Sequence, residues 1–141
     1  MANLEFNKND DKMRLLISEM KRKHATVSLG GGKKKIEKQH TKGKLTARER
    51  IDYLKDTDSK FLEIGAFVGE GMYAEYGGCP SGGVVAGITY VKDRQCIVVA
   101  NDATVKAGAW FPITAKKNLR LHEISMENRF TIDYIVDISG V

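Results

Sequence analysis

Two short runs of small residues could hold a reacting carbonyl group against the backbone. Lys106-Ala-Gly-Ala109 follows one apolar segment of strand character, and Ser139-Gly140-Val141 follows the next. Small residues let a substrate approach the main chain, and two converging N–H groups can stabilise a developing oxyanion. If the two segments are neighbouring parallel strands, we expect both turns side by side at the carboxyl edge of the sheet. Tight turns that serve packing alone are the alternative interpretation.

Other patterns that support catalysis or metal binding do not occur in the sequence. Gly32-Lys33 is followed by Lys34 and Gly43-Lys44 by Leu45, so neither matches the phosphate-binding loop that requires Ser or Thr next. Neither a GxGxxG nor a GxSxG pattern is present. The three histidines are too scattered for a metal triad, and Cys96 lies in an apolar run where burial is expected to make its thiol inert.

The basic residues are concentrated in the first part of the chain. Residues 1–56 hold 15 basic and 8 acidic side chains, a balance of +7, whereas residues 57–141 hold 8 and 10, a balance of −2. Residues 21–50 alone hold eleven Lys or Arg. This segment should attract a polyanion, although the run of lysines at 33–35 is equally typical of a solvated surface.

The composition narrows the class of protein. With 141 residues, of which 42% are hydrophobic and 29% charged, the chain is long enough for one ordinary folded domain and is unlike a disordered protein. No apolar run reaches transmembrane length, and no apolar stretch follows a basic N-terminus as in a secretory signal. The two cysteines form no disulfide framework, which favours a reducing compartment.

The N-terminal elements that must position these residues are predicted to be helical. A helix over residues 10–23 has an apolar stripe that favours either docking to a partner or packing on its own domain, formed by Met13, Leu16, Ile17 and Met20. Three consecutive glycines predict a loop over residues 28–36. The capping-box spacing Thr46-Ala-Arg-Glu49 predicts a helix over residues 47–55, with Ile51 and Leu54 facing the core.

The second part of the chain has the pattern of a sheet with one crossover helix. A short strand is predicted at residues 61–64 and a turn-rich stretch at 69–83. A hairpin follows, with strands at 84–91 and 95–100, the second of which is apolar throughout and therefore expected to be buried on both faces. A helix over 113–128 and a strand over 134–138 complete a βαβ unit.

Three blocks of the sequence resemble a known family. They are Gly31-Gly-Lys-Lys-Lys-Ile-Glu-Lys-Gln-His-Thr-Lys-Gly-Lys-Leu-Thr-Ala-Arg-Glu-Arg50, Tyr76-Gly-Gly-Cys-Pro-Ser-Gly-Gly83, and the segment from Ala100-Asn-Asp-Ala-Thr-Val-Lys-Ala-Gly-Ala-Trp-Phe-Pro to Arg120. Together they are similar to the N-terminal part of the carboxyltransferase (beta) subunit of biotin-dependent acyl-CoA carboxylases. The third block is most similar to the methylcrotonyl-CoA branch.

The resemblance implies an α/β fold of the crotonase (ClpP/crotonase) type, a superhelix of ββα units. It implies a partial N-terminal domain at residues 57–141, preceded by a basic helical segment at residues 1–56. The chain is then expected to be a fragment that cannot turn over alone, since the domain for the biotin half is absent.

The implied activity is transfer of a carboxyl group from carboxybiotin to an acyl-CoA, with the nitrogen of biotin accepting the proton. Biotin is expected on a biotin carboxylase or biotin carrier subunit, coenzyme A belongs to the substrate, and no metal, nucleic acid or membrane is implied as a partner. The full-length protein is expected to form a homo-oligomer in the bacterial cytoplasm or the mitochondrial matrix.

The resemblance also assigns roles to residues. The thioester oxyanion would be held by two turns, the first formed by Ala107, Gly108 and Ala109 and the second by Gly140 and Val141. The phosphates of coenzyme A would be bound by the basic residues Lys42, Lys44, Arg48 and Arg50. One position departs from the family pattern: Ile138 stands where a small Ser is usual, so it could shift the second turn or fill part of the acyl pocket.

Two other functions remain open at the level of sequence. A small basic module could bind nucleic acid through residues 21–50, but His24 and His40 are the only aromatic rings there for base stacking. A crotonase-like hydratase or isomerase would need a carboxylate as proton shuttle, and no Glu lies near either small-residue turn.

Overall fold

A four-stranded mixed sheet organises the chain in the computed structural model, which describes residues 2–139. The sheet order is β1 (Leu62–Glu63), β2 (Val84–Val91), β3 (Arg94–Asn101), β4 (Thr131–Ile135). The first three strands are antiparallel neighbours, whereas β3 and β4 run parallel and are joined by helix α4 (Pro112–Asn128). The predicted hairpin and βαβ unit are therefore both observed.

Helices cover both faces of this sheet. On one face, α3 (Ala47–Leu54) contributes Ala47 and Ile51 to a cluster with alternate residues of β2 and β3. On the other face, Leu121 of α4 packs against the strand residues whose side chains point the opposite way, namely Val84, Ala86, Ile97 and Val99. The apolar run of β3 is therefore buried on both sides, as its sequence predicts. Because α3 shares the core, the predicted boundary at residue 56 divides the chain by charge and not by packing.

The N-terminal part contains more helix than the sequence indicates. Helix α1 spans Ala2–Ser28, well beyond the predicted residues 10–23. The predicted loop at 28–36 is wrong in its second half, because α2 (Lys33–Thr41) begins directly after the glycines. Straight-chain lysines favour a helix, so the turn is confined to Leu29 and the three glycines.

The apolar stripe of α1 is not covered by the rest of the described chain. Its four residues are 40–56% exposed, and the helix reaches the core only through its last turn, where Val27 is buried. Docking of the stripe to a partner stays a prediction. Within residues 2–139, no helix has both the length and the apolar character needed to cross a membrane.

One further boundary and one predicted core residue differ from the prediction. The final strand is Thr131–Ile135 and not 134–138, because the chain leaves β3 after the pair Ala100 and Ile135. The capping box of α3 is present, with the Thr46 hydroxyl accepting the Glu49 N–H, and Ile51 is buried. Leu54 is 36% exposed and does not face the core as predicted.

Candidate functional site

The two small-residue turns lie against each other. After β3, the residues Lys106, Ala107 and Gly108 adopt positive φ angles of 45°, 53° and 80° and form a short turn. The segment that follows β4 packs on this turn, and the Ser139 N–H donates to the Ala107 carbonyl oxygen over 3.2 Å. The expected side-by-side placement is thus observed as far as Ser139. Gly140 and Val141 lie outside the described residues.

Gly108 is required at this contact for two reasons. Its φ angle lies in the left-handed region, which residues with a side chain rarely adopt. A Cβ atom at position 108 would also lie 2.2 Å from the carbonyl oxygen of Asp137, far inside van der Waals contact. The close approach of the two turns therefore depends on the missing side chain.

A cleft of about 290 Å³ opens beside the paired turns. Ala107, Ile138 and Ser139 contribute one part of its wall, and Lys42 and Lys44, which follow α2, contribute another. The Lys44 Nζ atom lies 3.2 Å from an oxygen of Asp137 in the wall. The structure therefore brings two of the predicted phosphate-binding lysines next to the predicted oxyanion turn.

A polar contact that the sequence did not reveal holds α2 beside this cleft. The Gly31 N–H donates to the Thr104 hydroxyl over 2.9 Å, and the Asp102 carboxylate accepts both the N–H and the hydroxyl of Thr104. A Cβ atom at Gly31 would lie 1.9 Å from the Thr104 carbonyl oxygen. The glycine turn is therefore docked on the segment that leads to Ala107. The Asp-x-Thr spacing after a buried strand is the only signal that could have indicated it.

An exposed hydrogen-bonded pair of side chains links α2 to α3. The His40 Nε2 atom lies 2.9 Å from a carboxylate oxygen of Glu49, which also accepts the Thr46 N–H over 2.7 Å. The hydrogen bond with His40 and that with Thr46 lower the pKa of Glu49 to about 2. This carboxylate therefore caps one helix and tethers another.

The two arginines predicted to meet phosphates are engaged within the chain itself. The Arg48 guanidinium makes a paired contact with Glu63, with both N–O distances at 2.8 Å, and also donates to the Ser28 carbonyl. Arg50 donates to the carbonyl oxygens of Ile135 and Asn101. The assignment of both arginines to phosphates stays a prediction, but their donors already have other acceptors.

Two backbone donors predicted for the oxyanion are also engaged. The Gly108 N–H donates to the Val105 carbonyl over 2.9 Å and the Ala109 N–H to the Lys106 carbonyl over 3.1 Å. These bonds stabilise the turn itself. Its stability also rests on Lys106, whose ammonium lies 4.5 Å from the ring centre of Tyr76 and 4.7 Å from that of Phe111. Sequence reasoning missed this cation–π contact, because Tyr76 is distant in sequence.

The thiols and histidines do not form a reactive centre among the described residues. Burial raises the pKa of the Cys96 thiol to about 11, and burial also raises that of Cys79. Both cysteines are free and buried, which suppresses thiolate formation at neutral pH. Within residues 2–139, no group of three or more His, Cys, Asp or Glu is placed to hold a metal ion.

Comparison with known proteins gives consistent matches. The family model described as the carboxyl transferase domain matches residues 38–141. The probable mitochondrial methylcrotonoyl-CoA carboxylase beta chain of Drosophila melanogaster is 46% identical over 136 residues, which are 96% of this chain and 23% of that protein. The biotin-dependent 3-methylcrotonyl-coenzyme A carboxylase beta1 subunit of Mycobacterium tuberculosis is 42% identical over 130 residues, 92% of this chain and 24% of that one.

A solved structure supports the same relationship. The transcarboxylase 12S hexamer, crystallised with methylmalonyl-coenzyme A, superposes with a TM-score of 0.80 at 29% identity and covers 92% of this chain and 26% of its own. This likeness confirms the expected crotonase-type α/β fold. The chain spans about a quarter of the length of these relatives. From the family match and the identity to these relatives, we conclude that the chain belongs to the carboxyl transferase domain family.

Proposed function

We propose that this protein is the carboxyltransferase (beta) subunit of a biotin-dependent acyl-CoA carboxylase and acts on 3-methylcrotonyl-CoA. One observation carries the proposal: in a chain of this family, the cleft joins cationic side chains to a pair of small-residue turns. The identity to two relatives that are named for methylcrotonyl-CoA supports the choice of acyl group.

Lys42 and Lys44 bind the phosphates of coenzyme A in this proposal. Both side chains are exposed, so their ammonium groups are hydrated and accessible to an incoming anion. Lys44 has one carboxylate neighbour, Asp137, in an exposed pair of the kind that contributes little to stability and is readily exchanged. Arg48 and Arg50 are less available, because their guanidinium groups already contact acceptors within the protein.

The paired turns hold the thioester carbonyl as it becomes an enolate. Gly108 and Ala109 keep the first turn in shape through their own hydrogen bonds, and Ala107 lines the cleft. The donors to the oxyanion would then come from the second turn, through the N–H groups of Gly140 and Val141. Removing one such donor typically raises the barrier by about 2.7–4 kcal/mol.

Ile138 influences the acyl end of the cleft. It lines the cleft wall and its Cα atom would lie 3.2 Å from a Cβ at Gly108, so it is packed directly on the first turn. A branched apolar side chain in this place favours a small or branched acyl group over a long one.

The activated carboxyl group, the subunit that carries it, the oligomeric state and the location complete the proposal. Bound biotin supplies the activated carboxyl group, and we propose that it is carried by a separate biotin carboxylase or biotin carrier subunit. A homo-oligomer is proposed as well, and the structural relative described above was solved as a hexamer. We propose the cytoplasm or the mitochondrial matrix as its location, in keeping with a mitochondrial relative and a bacterial one.

Calorimetric titration with coenzyme A and with 3-methylcrotonyl-CoA tests the proposal. The wild-type protein should bind both, and changing Lys42 and Lys44 together to Ala should weaken both affinities by about tenfold, because two cations facing phosphates are lost. The matched control changes Lys8 and Lys12 to Ala, which alters the net charge equally on the exposed surface of α1.

The control variant should retain the wild-type affinity for both ligands. Equal weakening by both double variants would show that only net charge matters and would remove Lys42 and Lys44 from the site. Binding of single-stranded or duplex nucleic acid with steep salt dependence, without binding of either coenzyme A ligand, would contradict the proposed function.

A further inference from the structure

Arg50 occupies an unusual place at the end of the sheet. It projects from α3, and its Nη1 group donates to the Ile135 carbonyl over 3.1 Å while its Nη2 group donates to the Asn101 carbonyl. These carbonyls belong to the last residues of β4 and β3. One guanidinium therefore bridges the carboxyl ends of two adjacent parallel strands.

The bridge also marks where the parallel ladder stops. The last pair of β3 and β4 is Ala100 with Ile135, and the segments beyond this pair lead to the two turns beside the cleft. A partly buried carbonyl at the point where the parallel ladder ends still needs a donor. The Nη1 and Nη2 groups of Arg50 supply one donor to each strand end, which a planar fork with fixed geometry can do at once.

Each bridged strand leads within a few residues to one of the two small-residue turns. Asn101 precedes the turn Lys106–Gly108, and Ile135 precedes Ser139, whose N–H reaches the Ala107 carbonyl. The separation of the strand ends therefore sets the separation of the turns. A change of the bridge would be transmitted directly to the contact between Ser139 and Ala107.

The guanidinium is held as an internal group and not as a free anion receptor. Its Nε atom is buried without a hydrogen-bond partner, and among residues 2–139 no carboxylate lies within 4 Å of its nitrogens. By contrast, Arg48, two residues earlier, is paired with Glu63. Among residues 2–139, the hydrogen bonds of Arg50 thus go to backbone carbonyls, and its two terminal nitrogens are oriented by the strand ends.

We infer that Arg50 is a positioning residue that sets the spacing of the two turns at the candidate thioester site, and that it does not bind the phosphates. This inference rests on the proposed function, since the turns matter for activity only if a thioester binds between them. Its effect should appear at the acyl end of the substrate and not at the nucleotide end.

The test compares Arg50→Lys with the wild type in two measurements. Lysine keeps the charge but cannot bridge two carbonyls, so the affinity for 3-methylcrotonyl-CoA should fall about tenfold while that for coenzyme A alone stays within about twofold. Hydrogen exchange at the Ser139 amide should accelerate relative to amides in the centre of β3. The control Arg120→Lys makes the same change on the exposed face of α4 and should alter neither.

Each outcome decides between distinct interpretations. If Arg50→Lys lowers the affinities for coenzyme A and for 3-methylcrotonyl-CoA equally, and this loss of affinity is larger at lower salt, Arg50 is a phosphate ligand and the inference is wrong. If exchange accelerates throughout the sheet, Arg50 has only a general structural role. If the wild type binds neither ligand, the proposed function fails, while exchange at Ser139 in Arg50→Lys still decides whether Arg50 spaces the turns. Arg50→Gln, which keeps a planar donor without charge, replaces Arg50→Lys if that variant does not fold.

Discussion

Arg50 and Lys117 are two partly or fully buried cations that contact backbone carbonyls on opposite faces of the same sheet. Arg50 on α3 spans two strand ends, whereas the Lys117 ammonium on α4 donates to three carbonyls, those of Gly65, Ser81 and Val84, over 2.8–3.1 Å. Val84 pairs with Asn101, so both cations act at the same end of the sheet.

The difference between the two sites follows from the arrangement of acceptors. Two carbonyls on neighbouring strands match the planar fork of a guanidinium, and three converging carbonyls match the three N–H groups of an ammonium. The consequences also differ, because Arg50 spaces the turns of the cleft while Lys117 ties together the loops before β2. The local arrangement of carbonyls thus favours one type of cation at each site. Arg50→Lys should therefore disturb the spacing of the turns, and Lys117→Arg should lower stability.

Removing the Lys117 ammonium should have the largest effect. Lys117→Met leaves three buried carbonyls without a donor and should lower the free energy of unfolding by about 3 kcal/mol. Lys117→Arg sharpens the comparison, because it keeps the charge but not the geometry and should still lose about 2 kcal/mol. Urea unfolding measures both.

The neighbouring exposed residue supplies the control for Lys117. Lys116→Met should change the free energy of unfolding by less than about 0.5 kcal/mol. A Lys117→Arg variant as stable as the wild type would show that charge, and not the directions of the three N–H groups, holds the loops.

The buried ammonium of Lys117 should make the stability of the protein depend on pH. Burial lowers the pKa of Lys117 to about 8 from its ordinary value of 10.5. Between these values the unfolded state binds more protons than the folded state, so the contribution of Lys117 to stability rises with pH across this window and is constant below it.

This pH dependence is measured as the difference in unfolding free energy between the wild type and Lys117→Met. The difference cancels the titration of cysteines and tyrosines that both proteins share, and it should grow from pH 8 to pH 10.5. A flat or falling difference would mean that the ammonium is not desolvated in its cage.

The smallest effect on stability is expected at the exposed pair of Glu49 and His40. Comparison with Lys117 shows how much burial increases the contribution of a charged side chain to stability. Glu49→Gln removes the carboxylate that contacts His40 but keeps an oxygen that can accept the Thr46 N–H, so the cost should be about 0.5 kcal/mol at neutral pH. The pKa of Glu49 is lowered to about 2 from 4.5, so its stabilising contribution is present above pH 4.5 and is lost as the pH falls toward 2.

Thermal unfolding of the wild type and Glu49→Gln across this acid range measures the effect. The gap between their melting temperatures should close toward pH 2. Asp52→Asn, which removes a carboxylate from the exposed side of the same helix, should show no comparable closing. A loss at Glu49 as large as that at Lys117 would remove the distinction between exposed and buried charges.

Local patterns in the sequence account for the elements whose signals lie within a few residues. The capping box at Thr46 and Glu49 placed the start of α3, and the apolar run of β3 indicated a strand buried on both faces. The glycine triplet indicated a turn but concealed α2, since its helix-favouring lysines follow at once. The end of β4 was misplaced by three residues, because pairing with β3 stops at Ile135, whose carbonyl oxygen accepts a hydrogen bond from Arg50, 85 residues away.

The candidate site shows the same division. Small residues after two parallel strands were enough to predict paired turns, because a βαβ crossover brings the carboxyl ends of its strands together. The sequence did not show which of the predicted basic residues line the cleft. Lys42 and Lys44 line the cleft, while Arg48 and Arg50 turn inward to Glu63 and to strand-end carbonyls.

The sequence by itself determined the family, the class of fold and the position of the turns, because these depend on residue types at short spacing. Tertiary structure alone decided what each buried cation does. A lysine or arginine has the same charge wherever it stands in the chain, and its role is set by which acceptors the folded backbone places within reach of its N–H groups.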